Sequence, residues 1–175
     1  MIWIFGDSFA ASRDPSSWTM QLGDVRNCAS NGSSEYRIYK TYLKQRHEIT
    51  VDDTVIFVHT SPSRIFLKND RITSSRLLES HPTCDIIIND IYEKREKEFI
   101  NLLESVWDED FFEDIFDLMI DKLKVPNSYH ITFFESPKME IVNLNHIWVA
   151  NPGTVNHMTA EGNRLVVDIV KQLIH

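Results

Sequence analysis

The sequence predicts an α/β domain of three layers, α/β/α, with a mostly parallel five-stranded sheet in the middle. Two observations carry this. Ile2–Phe5 and Val55–Val58 are short, unbroken apolar runs, as in strands covered on both faces. Other segments repeat apolar residues every three or four positions, as in helices packed by one side. Strands that alternate with such helices belong to the α/β class.

The elements follow in order. Ile2–Phe5 is the first strand and ends in Gly6-Asp7-Ser8. Ser16 or Ser17 caps a short helix through Trp18 and Leu22, stopped by Gly23. Val25–Cys28 is the second strand, and the turn-forming Ser30–Ser34 leads into a helix from Glu35 to Arg46. Tyr36, Tyr39 and Leu43 lie along one face of that helix. Asp52-Asp53 introduces the third strand, Val55–Val58, which ends in His59-Thr60-Ser61-Pro62.

Residues 63–90 show no period, and the stretch from Asp70 to Asp90 is a candidate lid. A helical insertion is expected over about 70–126. Within it, Phe99, Leu102, Leu103 and Val106 mark one helix; Phe112, Ile115, Phe116, Met119 and Leu123 mark another. Asp108-Glu109-Asp110 suits the start of the second, Lys122 and Lys124 suit its end, and Pro126 stops it. The Glu93–Glu98 charge run reads as a solvated helix face. Ile131–Phe134 and Ile147–Ala150 are expected as the fourth and fifth strands. Thr159 caps the last helix, striped by Leu165, Val166, Ile169, Val170, Leu173 and Ile174.

The 175 residues suit one domain spanning 1–175. The formal charge of −8 disfavours a partner held by its phosphates, so no nucleic acid is expected. No apolar run approaches the roughly 18 residues of a membrane span. Cys28 and Cys84 exclude a disulfide framework and a four-thiolate metal site, and leave one bridge open. The first strand starts without a leader-like region, so a cytoplasmic location is expected. The seven histidines are scattered without ligand spacing, so neither metal nor cofactor is expected.

In parallel sheets, chemistry gathers at the carboxyl ends of the strands. That rule selects Asp7-Ser8, Gly32, Thr60-Ser61 and the loop before the last helix. Ser8 needs a base to become a nucleophile. His157, two residues before Thr159, is the best placed, and His59 is its rival at the same rim. His47 and His175 read as exposed, while His130 and His146 open strands. A tetrahedral intermediate needs donors for its oxyanion. Gly32 offers a backbone N–H, and Thr60 or Ser61 a further donor.

Taken together, these residues resemble the SGNH hydrolase superfamily, the GDSL-like lipases and esterases. Gly6-Asp7-Ser8-Phe9 is similar to its first block, which implies Ser8 as nucleophile and Asp7 as a structural part. Asn27–Gly32 is similar to its second block, which implies the Gly32 N–H in the oxyanion hole beside the N–H of Ser8. Asn156–Gly162 is similar to its last block, which implies His157 as base and close helix packing at Gly162. The resemblance spans nearly the whole chain and implies a flavodoxin-like sheet.

Two departures stand out. The family's third block is a Gly-x-Asn-Asp; here Ser61 is the nearest positional match to its asparagine. The family's acid lies three residues before the histidine, and here that residue is Thr154. Thr154 can orient the ring but supplies no charge, which implies a Ser8–His157 dyad. Loss of the acid from an intact triad costs on the order of 10⁴ in turnover, an upper guide for a natural dyad. Asp7, Thr60, Arg64 and Asn156 are the candidates for substrate contact. The resemblance implies a serine esterase that cleaves a small acyl ester, such as an O-acetyl on a carbohydrate, through an acyl-enzyme. The alternatives are a non-catalytic carbohydrate- or protein-binding module on the same fold, and acyl transfer to an alcohol. A membrane substrate is not expected.

Overall fold

The computed structural model describes residues 1–61, 64–65, 86–87, 109–134, 140–153 and 158–175. Five strands form one parallel sheet: β1 (Ile2–Gly6), β2 (Val25–Asn27), β3 (Thr54–His59), β6 (Ser128–Thr132) and β7 (Val142–Asn143). Their order is β2-β1-β3-β6-β7, which is the flavodoxin-like arrangement. A separate antiparallel pair joins β4 (Arg64–Ile65) to β5 (Ile86–Ile87).

Alternation along the central strands builds two apolar layers. Ile4, Ile56, Val58 and Ile131 face one side, where they meet Phe9 of α1 (Ser8–Ala11), Ile147 of α4 (Asn145–Ala150) and Val166 and Val170 of α5 (Ala160–Ile174). Trp3, Phe5, Val55 and Phe57 face the other, against Ile38 of α2 (Glu35–Gln45) and Leu123 of α3 (Glu109–Leu123). Helices therefore cover both faces, and the α/β class holds. The parallel pairing of β3 with β6 requires a crossover, and α3 lies on that path, packed against α2. Within the expected helical insertion over 70–126, Ile86–Ile87 is a strand, and apart from it, α3 and residues 124–126 the insertion, including the Phe99–Val106 helix and the Glu93–Glu98 run, lies outside the described residues. So do Cys84 and most of the 63–90 stretch. Cys28 is a free thiol. Among the described residues, no helix is long and apolar enough to cross a membrane.

Several expected elements differ. The segment after Ser17 forms only a one-turn 3₁₀ helix, Met20–Leu22, with no side-chain cap bond. Helix α2 buries Glu35 and Ile38 and packs Tyr39 and Tyr42, while Tyr36 is exposed. Its inner face is thus rotated from the Tyr36–Leu43 line, because Glu35 has a polar partner inside. In α3, Phe116, Ile120 and Leu123 are buried and Ile115 is exposed. The fourth sheet strand begins at Ser128 and ends at Thr132, so His130 sits within it. Ile147–Ala150 is helical, not a strand: Leu144, Ile147 and Trp148 follow helical spacing and join the core. His146 consequently lies on a helix and is exposed.

Helix α5 starts where expected, with Thr159 Oγ1 accepting the Gly162 N–H at 3.2 Å. Gly162 is buried, and a Cβ there would lie 2.7 Å from Asn151 Cβ and 3.0 Å from Met158 Cβ. A helical Gly→Ala change ordinarily stabilises by up to about 1 kcal/mol. Here the clash reverses the sign. Gly162→Ala is expected to lose about 1–2 kcal/mol, and thermal unfolding should show Tm falling by roughly 2–8 °C. An unchanged or raised Tm would contradict this packing.

Candidate active site

The carboxyl rim is assembled by continued parallel pairing. Asp7 leaves β1 in extended backbone and caps α1, its Oδ1 accepting the Phe9 N–H at 3.0 Å. Ser8 is thereby the first residue of α1, half-buried at the strand's end. The Cys28 N–H donates to Ile4 O at 2.7 Å and the Ser30 N–H to Gly6 O at 3.0 Å, so the second loop runs alongside the end of β1. The Ser33 N–H closes the turn onto Ser30 O at 3.3 Å. Gly32, inside that turn, is buried at φ 65°, a left-handed backbone that favours glycine.

Among the described residues, neither the Ser8 N–H nor the Gly32 N–H has an acceptor. First-turn helix amides have no intrahelical partner. A buried amide without a partner costs free energy, which makes it a ready donor to an incoming oxygen. Ser61 is half-buried just past β3, and its carbonyl accepts the Arg64 N–H at 3.1 Å. Arg64 is half-buried too, and its Nε is buried without a partner among the described residues.

Thr154, Asn156 and His157 lie outside the described residues, but the residues on either side of them are paired at a common base. Pro152 pairs with Met158 in an antiparallel bridge, and the Thr159 N–H donates to Asn151 O at 3.0 Å. That base is tied to the helix carrying Ser8. Trp18 Nε1 donates to Phe9 O at 2.8 Å, and the Trp18 N–H donates to Asn163 Oδ1 at 2.9 Å. Asn163 Nδ2 in turn donates to Met158 O at 3.2 Å. Phe9 and Met158, the chain neighbours of Ser8 and His157, both line a cavity of about 320 Å³. Its other walls are Ser12, Asp14, Ser16, Ser17 and Asn163.

Asp7 and Thr60 are fully buried, and Thr60 Oγ1 donates to Asp7 Oδ2 at 3.1 Å. Both side chains are thus turned into the protein. Burial pushes the Asp7 carboxyl up to about 6, against the opposing pull of the Arg64 charge and its own hydrogen bonds. His59 has no solvent exposure, and both ring nitrogens are engaged: Nδ1 with Glu35 Oε1 and Nε2 with His130 Nδ1, each at 2.8 Å. It cannot serve as the rim's base. Burial, and then the charge on His59, hold His130 down to about 4.

Glu35 and His130 show no site signal in the sequence. Glu35 reads as an ordinary acidic residue in a first helical turn, and His130 as a histidine that opens a strand. A clue to the former is its place directly after the Gly32 turn, where a carboxylate can reach the end of β3.

No family model and no curated protein matches the chain. Among solved structures it is similar to a member of the lipolytic protein G-D-S-L family from Veillonella parvula, at 13% identity and a TM-score of 0.43, over 98% of this chain and 96% of that one.

The elevated Asp7 value sets a pH dependence. Stability from this group is fully present below its ordinary 3.8 and is lost as pH rises through about 6. Asp7→Asn still offers an acceptor to the Phe9 N–H and never ionises. Relative to wild type, its stability should therefore improve from pH 4 to about 6 and level off by pH 7.5 in urea unfolding series. Parallel stability curves would contradict the assignment.

Proposed function

We propose that the chain is a serine esterase in which Ser8 and His157 act as a dyad on a small acyl ester. The observation that carries this is the shared cavity between the neighbours of Ser8 and His157. It is supported by two amide donors, at Ser8 and Gly32, that have no acceptor among the described residues.

In this reading Ser8 Oγ attacks the acyl carbon while His157 takes its proton. The oxyanion is held by the N–H groups of Ser8 and Gly32, with Ser61 as a third donor. The intermediate collapses, and His157 returns the proton to the departing alcohol. Water then attacks the acyl-enzyme by the same route, releasing the acid and restoring Ser8. Thr154 orients the His157 ring by its hydroxyl. Arg64 and Asn156 remain the candidates for substrate contact; Asp7 and Thr60 act from within by shaping the turn that carries Ser8.

The hydroxyls of Ser12, Ser16 and Ser17, with Asp14 and Asn163, give the cavity the donors and acceptors that suit a carbohydrate alcohol. An O-acetyl sugar is the substrate class this favours. The same lining favours a second reading, a sugar-binding module that performs no hydrolysis.

A fluorophosphonate probe separates the two. Wild type should be labelled covalently, and Ser8→Ala should abolish labelling. His157→Ala should abolish hydrolysis of a short-chain nitrophenyl ester. An unlabelled wild type at pH 7–9 would leave the binding module. Thr154→Asp should raise kcat by roughly tenfold or more if the acid's place is vacant, a fraction of the on the order of 10⁴ that an acid supplies in a full triad. An unchanged kcat would show another group orienting the ring.

A further inference from the structure

A chain of polar groups runs through the core beneath the rim. It starts at Ser128, whose hydroxyl donates to Val125 O at 2.7 Å. With its one proton committed, Ser128 Oγ accepts from His130 Nε2 at 3.3 Å. A neutral His130 then presents a bare Nδ1, which accepts from His59 Nε2. The two rings are nearly coplanar, 7° apart, as an in-plane hydrogen bond requires. His59 Nδ1 meets Glu35 Oε1 at 2.8 Å in a buried carboxyl–imidazole contact. Phe57 and Phe116 pack against the His59 ring.

Glu35 also reaches the rim itself. Its Oε2 accepts the Thr60 N–H at 3.4 Å, and Thr60 passes the connection to Asp7, which caps the helix begun by Ser8. Glu35 is covalently three residues from Gly32, and Thr60 is adjacent to Ser61. One buried side chain therefore touches or adjoins all three segments that supply the proposed oxyanion donors.

We infer that Glu35, held against the His59 ring, is a positioning residue that sets the segments carrying Ser8, Gly32 and Ser61 at their working separation. The inference rests on the esterase reading for its catalytic consequence, but its structural content is independent. Glu35 touches no substrate and moves no proton in the reaction. Its effect is to remove slack between three short loops, beside the Thr60–Asp7 and Asn27–Ala10 bonds that join them in pairs.

The test compares wild type with Glu35→Gln, which keeps the size and removes the charge. Backbone ¹⁵N relaxation should show order parameters at Ser8, Gly32 and Ser61 falling from about 0.85 to below about 0.6. Val166 and Val170 in α5 should keep theirs. Ester hydrolysis should lose about tenfold to a hundredfold in kcat, with KM within about twofold. Unchanged rim order parameters, or an equal fall in α5, would overturn the inference. If Glu35→Gln does not fold, Thr60→Val cuts only the link to Asp7. It should loosen Ser8 and leave Gly32 rigid, and an unaltered Ser8 would overturn the inference. The order parameters decide the matter even in a wild-type chain inactive towards esters, so the two readings fail separately.

Discussion

The parallel register of β1 between β2 and β3 is the constraint on which the rim depends. Ile4 is opposite Asn27 on one side and Ile56 on the other, and Gly6 is opposite Val58. A slip of one residue would turn Trp3 and Phe5 into the layer built for Ile4. The same slip would move Asp7 away from Thr60 and Ser30 away from Gly6. Apolar burial on both faces makes that cost large: Trp3, Ile4 and Phe5 are all fully buried, and each such side chain contributes on the order of 1.5–3 kcal/mol. The chemistry at the rim is therefore aligned by the core beneath it.

Ionisable groups enter this core in pairs. Asp7 and Glu35 are both buried, and their bonds to the hydroxyl and the backbone N–H of one residue, Thr60, place two carboxyl groups close together. Neither stands uncompensated. The His59 ring meets Glu35, and the Arg64 charge acts on Asp7. Replacing such groups by apolar ones is often neutral or stabilising in general. Their persistence in a core otherwise built from Trp, Phe, Ile and Val is better explained by geometry. A carboxylate with two acceptor oxygens can hold two separate chain segments at once, which an apolar side chain cannot do.

Legibility in the sequence follows the same division. β1, β3 and α5 were readable because burial on two faces, or a capped stripe, leaves a strong apolar signal. β6 starts earlier than its apolar run because its first residues, Ser128, Tyr129 and His130, are polar or amphipathic, and His130 meets its partner, His59, far away in the chain. The inner face of α2 was misplaced for the same reason: Glu35 counts as polar in any pattern until His59 is known to face it. β7 has two residues at the sheet's edge, too few to show alternation, while the adjacent apolar run belongs to α4. Among the candidate site residues, Ser8 and Gly32 lie in turns that the sequence makes readable. The burial of Asp7 and Thr60, and the loss of His59 as a base, are consequences of tertiary pairing that no local pattern reports.

That pairing also separates the two faces of the rim by task. On the α2/α3 side Glu35, His59 and His130 bond to one another and are flanked by aromatic rings, so they are suited to holding shape. On the α1/α5 side Phe9, Met158 and several hydroxyls surround open volume, and hydrogen bonds through Trp18 and Asn163 bridge the two chain segments that border it. Ser8 lies at the boundary, where its turn is gripped by Asp7 from the saturated side and its helix forms a wall of the open one. The proposed esterase reading needs both conditions at Ser8, since a group that must move a proton cannot also be spent on the fold, yet must not drift relative to the donors that receive the charge.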